Sequence, residues 1–208
     1  MRTAAGRLLS YQAPPPLTVN GLAWWFKGDG TYWQDAARTT PALLDTATVG
    51  AWDEHGNAQA HAIQTTLASR PILKTGANGI NGHPVVQFDG AATSLNCGLS
   101  SASVPFTWFG VIKPTNFAAN QALFGGVANA AAWVIDTTGK QLIVKAGVAV
   151  VASSTTALTA GVAAIIHVTY SAGGGWAFFV NGAATGAAGQ SYHGFRRPID
   201  NPAQAGLG

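Results

Sequence analysis

The composition of this chain limits the classes of protein to which it can belong. Its 208 residues, 48% of them hydrophobic, are enough for one sizeable core, so we expect one domain. Charged residues make up only 9% of the chain, far below the roughly 25% of an average globular protein. So little charge indicates either an exterior that meets other protein or a neutral surface rich in Ser, Thr and Asn.

The distribution of charge argues against two kinds of partner. The formal charge is +3, but the eleven Lys and Arg residues are scattered and only Arg196 and Arg197 are adjacent, so we expect no nucleic acid to bind. No stretch of about 18 apolar residues occurs, and Arg7 interrupts the apolar run that a secretory signal needs. We therefore expect neither membrane insertion nor export by the general secretory route. Cys97 is the only cysteine, which excludes an intrachain disulfide and predicts a buried thiol.

The chain opens with a segment unlike the rest. In residues 1–20, Pro14, Pro15 and Pro16 favour an extended polyproline conformation and cannot join a central strand. We predict an arm over 1–20 and a domain over 21–208. Within the domain, β-branched and aromatic runs bounded by Gly, Asn and Pro predict strands, near residues 22–28, 71–75, 83–89, 94–99, 106–113, 121–127, 131–136, 141–146, 148–153, 163–170 and 175–181.

Residues 30–70 are predicted as a long polar loop, which in a compact domain is usually functional or held by its own anchors. One interpretation is that Trp52 closes the edge of the core while Asp53 and Asn57 bond the loop's own backbone. The other is an aromatic platform with amide groups for binding a sugar, formed by Trp33, Trp52, Asn57, Tyr32 and Tyr192.

The strand predicted at 106–113 is apolar on both faces, because Phe106, Trp108 and Ile112 alternate with Phe109 and Val111. Such a strand is expected in the middle of a two-layer stack. His167, which alternates with apolar neighbours in the strand predicted at 163–170, is expected to be a structural histidine. The pair at 181–182, Asn-Gly, predicts a hairpin turn.

Several aromatic and turn phrases, taken together, resemble a laminin-G-like domain of the concanavalin A type. They are Trp24-Trp25-Phe26-Lys27-Gly28-Asp29, Trp52-Asp53-Glu54-His55-Gly56-Asn57, Asn81-Gly82-His83-Pro84-Val85-Val86-Gln87-Phe88-Asp89-Gly90, residues 106–114, and Phe179-Val180-Asn181-Gly182. The resemblance covers about residues 20–187. It implies an all-β fold, a two-layer antiparallel β-sandwich (jelly roll), here with an extended N-terminal arm.

The chain departs from this family after the hairpin at 181–182. Relatives follow that hairpin with a closing strand beside the first strand, and here the closing strand is expected to be missing. The backbone edge of 22–27 would then be unpaired, and natural proteins cover such edges or use them for association. We expect the arm 1–20, the tail 188–208 or a neighbouring subunit to fill the gap.

Enzymatic activity is not expected. Glycan-cleaving relatives carry two Glu and an Asp on alternate positions of one strand, whereas Glu54 is the only glutamate and no two aspartates stand at i and i+2. A Gly-x-Ser-x-Gly elbow is also missing from the sequence. Many relatives bind calcium, for which Asp53 and Asp89 are the candidate ligands. Because a calcium site usually gathers several carboxylates, we expect no bound cofactor.

The sequence and the resemblance together predict a non-enzymatic structural protein of a virus particle, a bacteriophage, since similar jelly rolls occur among phage head-decorating and tail proteins. Its partners would be other virion subunits, including copies of itself, and host-surface glycans; the particle would assemble in the host cytoplasm. The expected assembly contacts are Pro14, Pro15, Pro16, Arg196 and Arg197. The alternative is an extracellular carbohydrate-binding lectin module of a surface or secreted protein, and the third hypothesis is a glycan-processing enzyme.

Overall fold

A computed structural model describes residues 22, 24–56, 60–97, 105–126, 132–138, 142–146, 149–171, 175–186 and 205–206. These residues form an all-β structure in which every pair of neighbouring strands is antiparallel. The strands are β1 (Tyr32–Trp33), β2 (Ala51–Trp52), β3 (Ala62–Ile63), β4 (Ile72–Lys74), β5 (Val85–Gln87), β6 (Phe106–Ile112), β7 (Gln121–Gly126), β8 (Ala132–Ile135), β9 (Leu142–Ala146), β10 (Ala149–Ser153), β11 (Ala164–Tyr170), β12 (Trp176–Val180), β13 (Ala183–Ala184) and β14 (Ala205–Gly206).

Two larger sheets and two small ones make up the described structure. The first large sheet has the order β10-β9-β8-β7-β14, and the second has the order β13-β12-β11-β6. Strands β1, β2 and β3 form one small sheet, and β4 pairs with β5 in the other. Single 3₁₀ turns lie at Leu67–Ser69 and Gly76–Asn78. The two large sheets contribute to one hydrophobic cluster, which gives the described chain a β-sandwich-like architecture.

The cluster forms because alternate side chains of each strand point to the same face. On β11 the buried side chains are Ala164, Ile166 and Val168, and on β12 they are Trp176, Phe178 and Val180. Phe124 of β7, Ile135 of β8 and Ala152 of β10 belong to the same cluster. Cys97 is buried there, which confirms the prediction of a buried thiol.

Strands β4 to β12 lie within predicted spans, but three predictions differ from the structure. The described part of 22–28 forms one isolated bridge, between Phe26 and Glu54, and residues 94–97 form a bridge between Asn96 and Ile63. The segment 30–70 is not one loop, since it holds β1, β2 and β3. All three strands have only two residues, too few for a recognisable alternation of polar and apolar side chains.

The tail contributes a strand to a different place from the one expected. Strand β14 pairs with β7, where Ala205 lies opposite Gly126 and Gly206 opposite Gly125. It therefore extends the first large sheet and does not pair with residues 22–27. The arm 1–20 lies outside the described residues, as do Asn57, Tyr192 and the five expected assembly contacts.

Candidate functional site

Tyr32 and Trp52, expected in a sugar-binding platform, lie opposite each other on β1 and β2. The Tyr32 hydroxyl donates to the Gly28 carbonyl at 2.6 Å, and the Trp52 Nε1–H donates to the Lys27 carbonyl at 3.0 Å. Tyr32 is buried, and this burial raises the pKa of its hydroxyl well above the ordinary range. Trp52 packs against the core. Both rings therefore hold the turn at residues 27–28 and give little surface to a ligand.

Trp33 and Asp53 meet in a polar cluster beside the same small sheet. The Trp33 Nε1–H donates to Asp53 Oδ2 at 3.0 Å, and Arg38 Nε lies 3.0 Å from Asp53 Oδ1. Arg38 and Asp53 form an ion pair and not a hydrogen bond, because the angle of approach is unfavourable. Within the described part of the chain, Asp53 Oδ1 therefore has no hydrogen-bond partner. The Asp53 carboxylate thus contacts side chains, whereas its predicted role was to bond the loop's backbone.

His61 and Glu54 complete this cluster and show its structural character. The backbone N–H of Glu54 donates to His61 Nδ1 at 3.1 Å. The same nitrogen lies 3.3 Å from Asp53 Oδ1. The Glu54 carboxylate is buried and accepts the backbone N–H groups of Trp25 and Gly56. The only glutamate of the chain therefore joins two backbone segments.

Asp89, the second candidate calcium ligand, uses its carboxylate within its own turn. Asp89 Oδ1 accepts the backbone N–H groups of Ala91, Ala92 and Thr93, at 2.9, 2.9 and 3.0 Å, and the Thr93 hydroxyl at 2.8 Å. These hydrogen bonds hold the pKa of Asp89 well below its usual range. Across the described residues, no group of three or more His, Cys, Asp or Glu side chains could hold a metal ion.

The second face of the β13-β12-β11-β6 sheet is the most unusual surface described. We call it the outer face; its members are Thr107, Phe109, Val111, Ile165, His167, Thr169, Ala177 and Phe179. Phe109 is 66% exposed, Val111 61% and Ile165 54%. The prediction that β6 would be buried on both faces is therefore wrong. Its inner side chains pack against the core, and its outer ones face solvent.

A stacked row of three rings crosses the outer face. His167 lies opposite Phe109 of β6 and Phe179 of β12, and the ring centroids are 4.2 Å and 4.6 Å apart with interplanar angles of 18° and 16°. His167 Nε2 is buried without a hydrogen-bond partner in the described structure. Burial lowers the pKa of this imidazole. Packing orients His167 as a structural histidine would be, but one of its polar atoms is unsatisfied.

The eight residues of the outer face include no Asp, Glu, Lys or Arg. The largest apolar patch on a soluble protein is often functional and can mark a site of protein–protein interaction. The sequence signal was present in the alternation of β6. It was ambiguous because two-sided apolarity fits both a strand covered on two faces and a strand with one face left for a partner.

Comparisons with protein-family models, with curated proteins and with solved structures find no match to this chain. Within the described ranges, no helix has the length and apolar character required to cross a membrane. The outer face, identified by its exposed apolar side chains and its ring row, is the candidate functional site.

Proposed function

We propose that this chain is a non-enzymatic structural subunit that associates with copies of itself through the outer face, in a virus particle such as that of a bacteriophage. The observation that carries the proposal is the exposed, uncharged face with the Phe109, His167 and Phe179 ring row at its centre. Covering apolar surface is favourable by about 25 cal/mol for each Å² removed from water. An assembling protein gains this free energy from its neighbours.

A second copy is the occupant that the chemistry favours. A two-fold axis brings the same surface of two subunits together, so any charge on that surface faces or neighbours its own copy. The eight residues of the outer face include no Asp, Glu, Lys or Arg and therefore meet their own copies without like-charge repulsion. The nearest charge in line with them is Lys113, just past the end of β6. A strongly charged partner would find no complementary group on the outer face. Leu43 and Leu44 are also exposed, but they lie in a loop and not in a continuous sheet face.

The size of the face indicates how strong such a contact would be. Three strands about 4.8 Å apart and roughly six residues long make a face of about 15 Å by 20 Å, or about 300 Å² for each copy. Two copies would then bury about 600 Å², which is less than the roughly 1,000 Å² of a stable specific interface. We therefore expect weak association between two isolated subunits. In a particle, other contacts would raise the effective concentration and strengthen this one.

The proposal also includes a specific type of β-sandwich. We propose that the two large sheets are the layers of a laminin-G-like jelly roll, on the strength of their shared core and of the family resemblance in the sequence. The same resemblance supports a role in the head or tail of a phage, where similar domains occur. The lectin hypothesis has less support, because Tyr32 and Trp52 are held by the turn at 27–28.

Sedimentation velocity of the full chain over a wide range of concentrations tests the proposal. The wild-type chain is expected to associate reversibly as its concentration rises. Val111→Lys places a charge on the outer face and should weaken self-association at least tenfold, since burying that charge without a partner costs several kcal/mol. Leu67→Lys is the matched control, because Leu67 is 65% exposed and lies in the 3₁₀ turn outside the outer face.

The outcome that contradicts the proposal is equally clear. A wild-type chain that stays monomeric at every concentration would overturn it, and so would a Val111→Lys variant that associates as strongly as Leu67→Lys. Thermal unfolding of both variants shows that each remains folded.

A further inference from the structure

His167 occupies a place in the outer face where a positive charge would be poorly tolerated. Its strand neighbours on that face are Ile165 and Thr169. From β6 it is faced by Phe109, flanked by Thr107 and Val111; from β12 it is faced by Phe179, flanked by Ala177. Ala184 of β13 lies beyond Phe179. None of these side chains ionises, and the next charged residue along β6 is Lys113, just beyond its end.

Protonation would give this ring a charge and a second N–H donor. Nε2 lacks a hydrogen-bond partner within the described chain, so the Nε2–H of the protonated ring would have no acceptor there. Attraction between the imidazolium and the two phenylalanine rings offsets part of the lost hydration. Burial lowers the pKa of His167 in the single subunit, because the imidazolium loses hydration there. A second copy laid over the face would remove still more water.

We propose that His167 makes the self-association of the outer face pH-dependent, so that subunits assemble near neutral pH and separate in mildly acidic solution. This inference rests on the proposed function, because it concerns the same face and the same partner. Its physical content is linkage: if the separated subunits bind more protons than the assembled ones, acid favours separation.

The sign and the pH range follow from the direction of the shift. An ordinary histidine has a pKa of about 6.5, and His167 is shifted below that value in the folded chain. The assembled state lowers it further. The contribution of the neutral ring to assembly is therefore complete above about pH 6.5 and is lost progressively as the pH falls through the lowered pKa.

Sedimentation velocity at about pH 7.5 and about pH 5.5 measures the effect, since these values lie on either side of an ordinary histidine pKa. The ratio of the two dimer dissociation constants is compared among chains. For the wild type we expect the dissociation constant to rise roughly tenfold in acid. Two histidines of ordinary pKa would together contribute up to about a hundredfold at about pH 5.5, and the lowered pKa of His167 reduces this effect. His167→Phe should give a ratio close to one whatever its affinity at neutral pH, and His167→Gln serves if the phenylalanine variant does not fold.

His83→Gln is the control, since His83 is exposed in a turn and should leave the wild-type ratio unchanged. Circular dichroism at both pH values verifies that the subunits stay folded. Equal dissociation constants at both pH values would overturn the inference and leave the proposed function standing. A ratio kept by His167→Phe but lost by His61→Gln would overturn it in favour of the histidine beside Asp53. If no association occurs at neutral pH, the proposed function fails and the inference with it.

Discussion

At the scale of single residues, Glu54 shows how one carboxylate can determine local structure. It is 7% exposed, and its Oε1 accepts the N–H of Trp25 at 2.7 Å and the N–H of Gly56. Next to it, the Trp25 carbonyl accepts the N–H of His55 at 2.8 Å. The side chain thus fastens the start of the described chain to the segment after β2.

Glu54→Ala would leave two backbone N–H groups without their acceptor. An unsatisfied buried donor costs about 1–3 kcal/mol. Because both of these donors are only partly buried, we expect the free energy of unfolding to fall by about 2–4 kcal/mol, the lower part of the range for two donors. Glu54→Gln keeps an oxygen in the same place and should lose clearly less. Urea denaturation of the three chains measures these differences. If the alanine variant is as stable as the wild type, the carboxylate does not have the structural role described.

At the scale of secondary-structure elements, the hairpin of β12 and β13 is the clearest case of sequence determining geometry. Asn181 and Gly182 have φ values of 51° and 81°, the left-handed conformation that the Asn-Gly pair predicted. Asn181 also accepts the N–H of Ile165 through its side chain, at 2.9 Å. The turn therefore fixes the end of β12 against the central strand β11.

Gly182→Ala should destabilise the chain by about 1 kcal/mol, because an L side chain is strained in this conformation even though the added methyl group meets no atom within 4 Å. Gly175→Ala is the matched control. Its φ lies outside the left-handed region, and the methyl group approaches only the Ser171 hydroxyl, at 3.3 Å. Thermal unfolding compares the two. A smaller loss for Gly182→Ala than for Gly175→Ala would contradict the argument.

The length of a strand determined whether it could be predicted from sequence. Strands such as β6 and β11 are seven residues long, so their alternation is visible in the chain itself. Strands β1 and β3 are linked by a contact that no local pattern reveals: the Arg70 guanidinium binds the carbonyl of Gln34, just after β1, and the carbonyls of Gln64 and Thr65, just after β3.

The candidate site was predictable only in part, for a related reason. Tyr32, Trp33 and Trp52 stood out as loop aromatics, but their hydrogen bonds to carbonyls and to Asp53 appear only when the chain is folded. The side chains of the outer face were visible as apolar positions in their strands. Which of the two faces of β6 the core would cover depends on the packing of whole sheets, and a single strand does not carry that information.

At the scale of the whole molecule, the scarcity of charge and the outer face both favour self-association. Charged residues make up 9% of the chain, and a surface with so few charges resists association weakly. The outer face adds a positive reason for association, since three of its residues are more than half exposed and apolar. Weak contacts of this size serve best where many subunits are held together, as in a particle.

If the outer face binds its own copy, a residue near the two-fold axis meets itself across the interface. Contact with a different surface would not bring a residue close to its own copy. Ile165 lies beside His167 near the centre of the face, so a two-fold axis there would bring it close to its own copy. Ile165→Lys alone and Ile165→Glu alone should each be monomeric, because both place like charges together. An equal mixture of the two variants should associate at least about tenfold more tightly than either variant alone, since close opposite charges attract across an interface. Added salt should weaken the mixed complex by screening that attraction. Sedimentation of the separate and mixed variants decides the matter: if mixing restores nothing while the wild type still associates, the outer face binds a different surface of its neighbour.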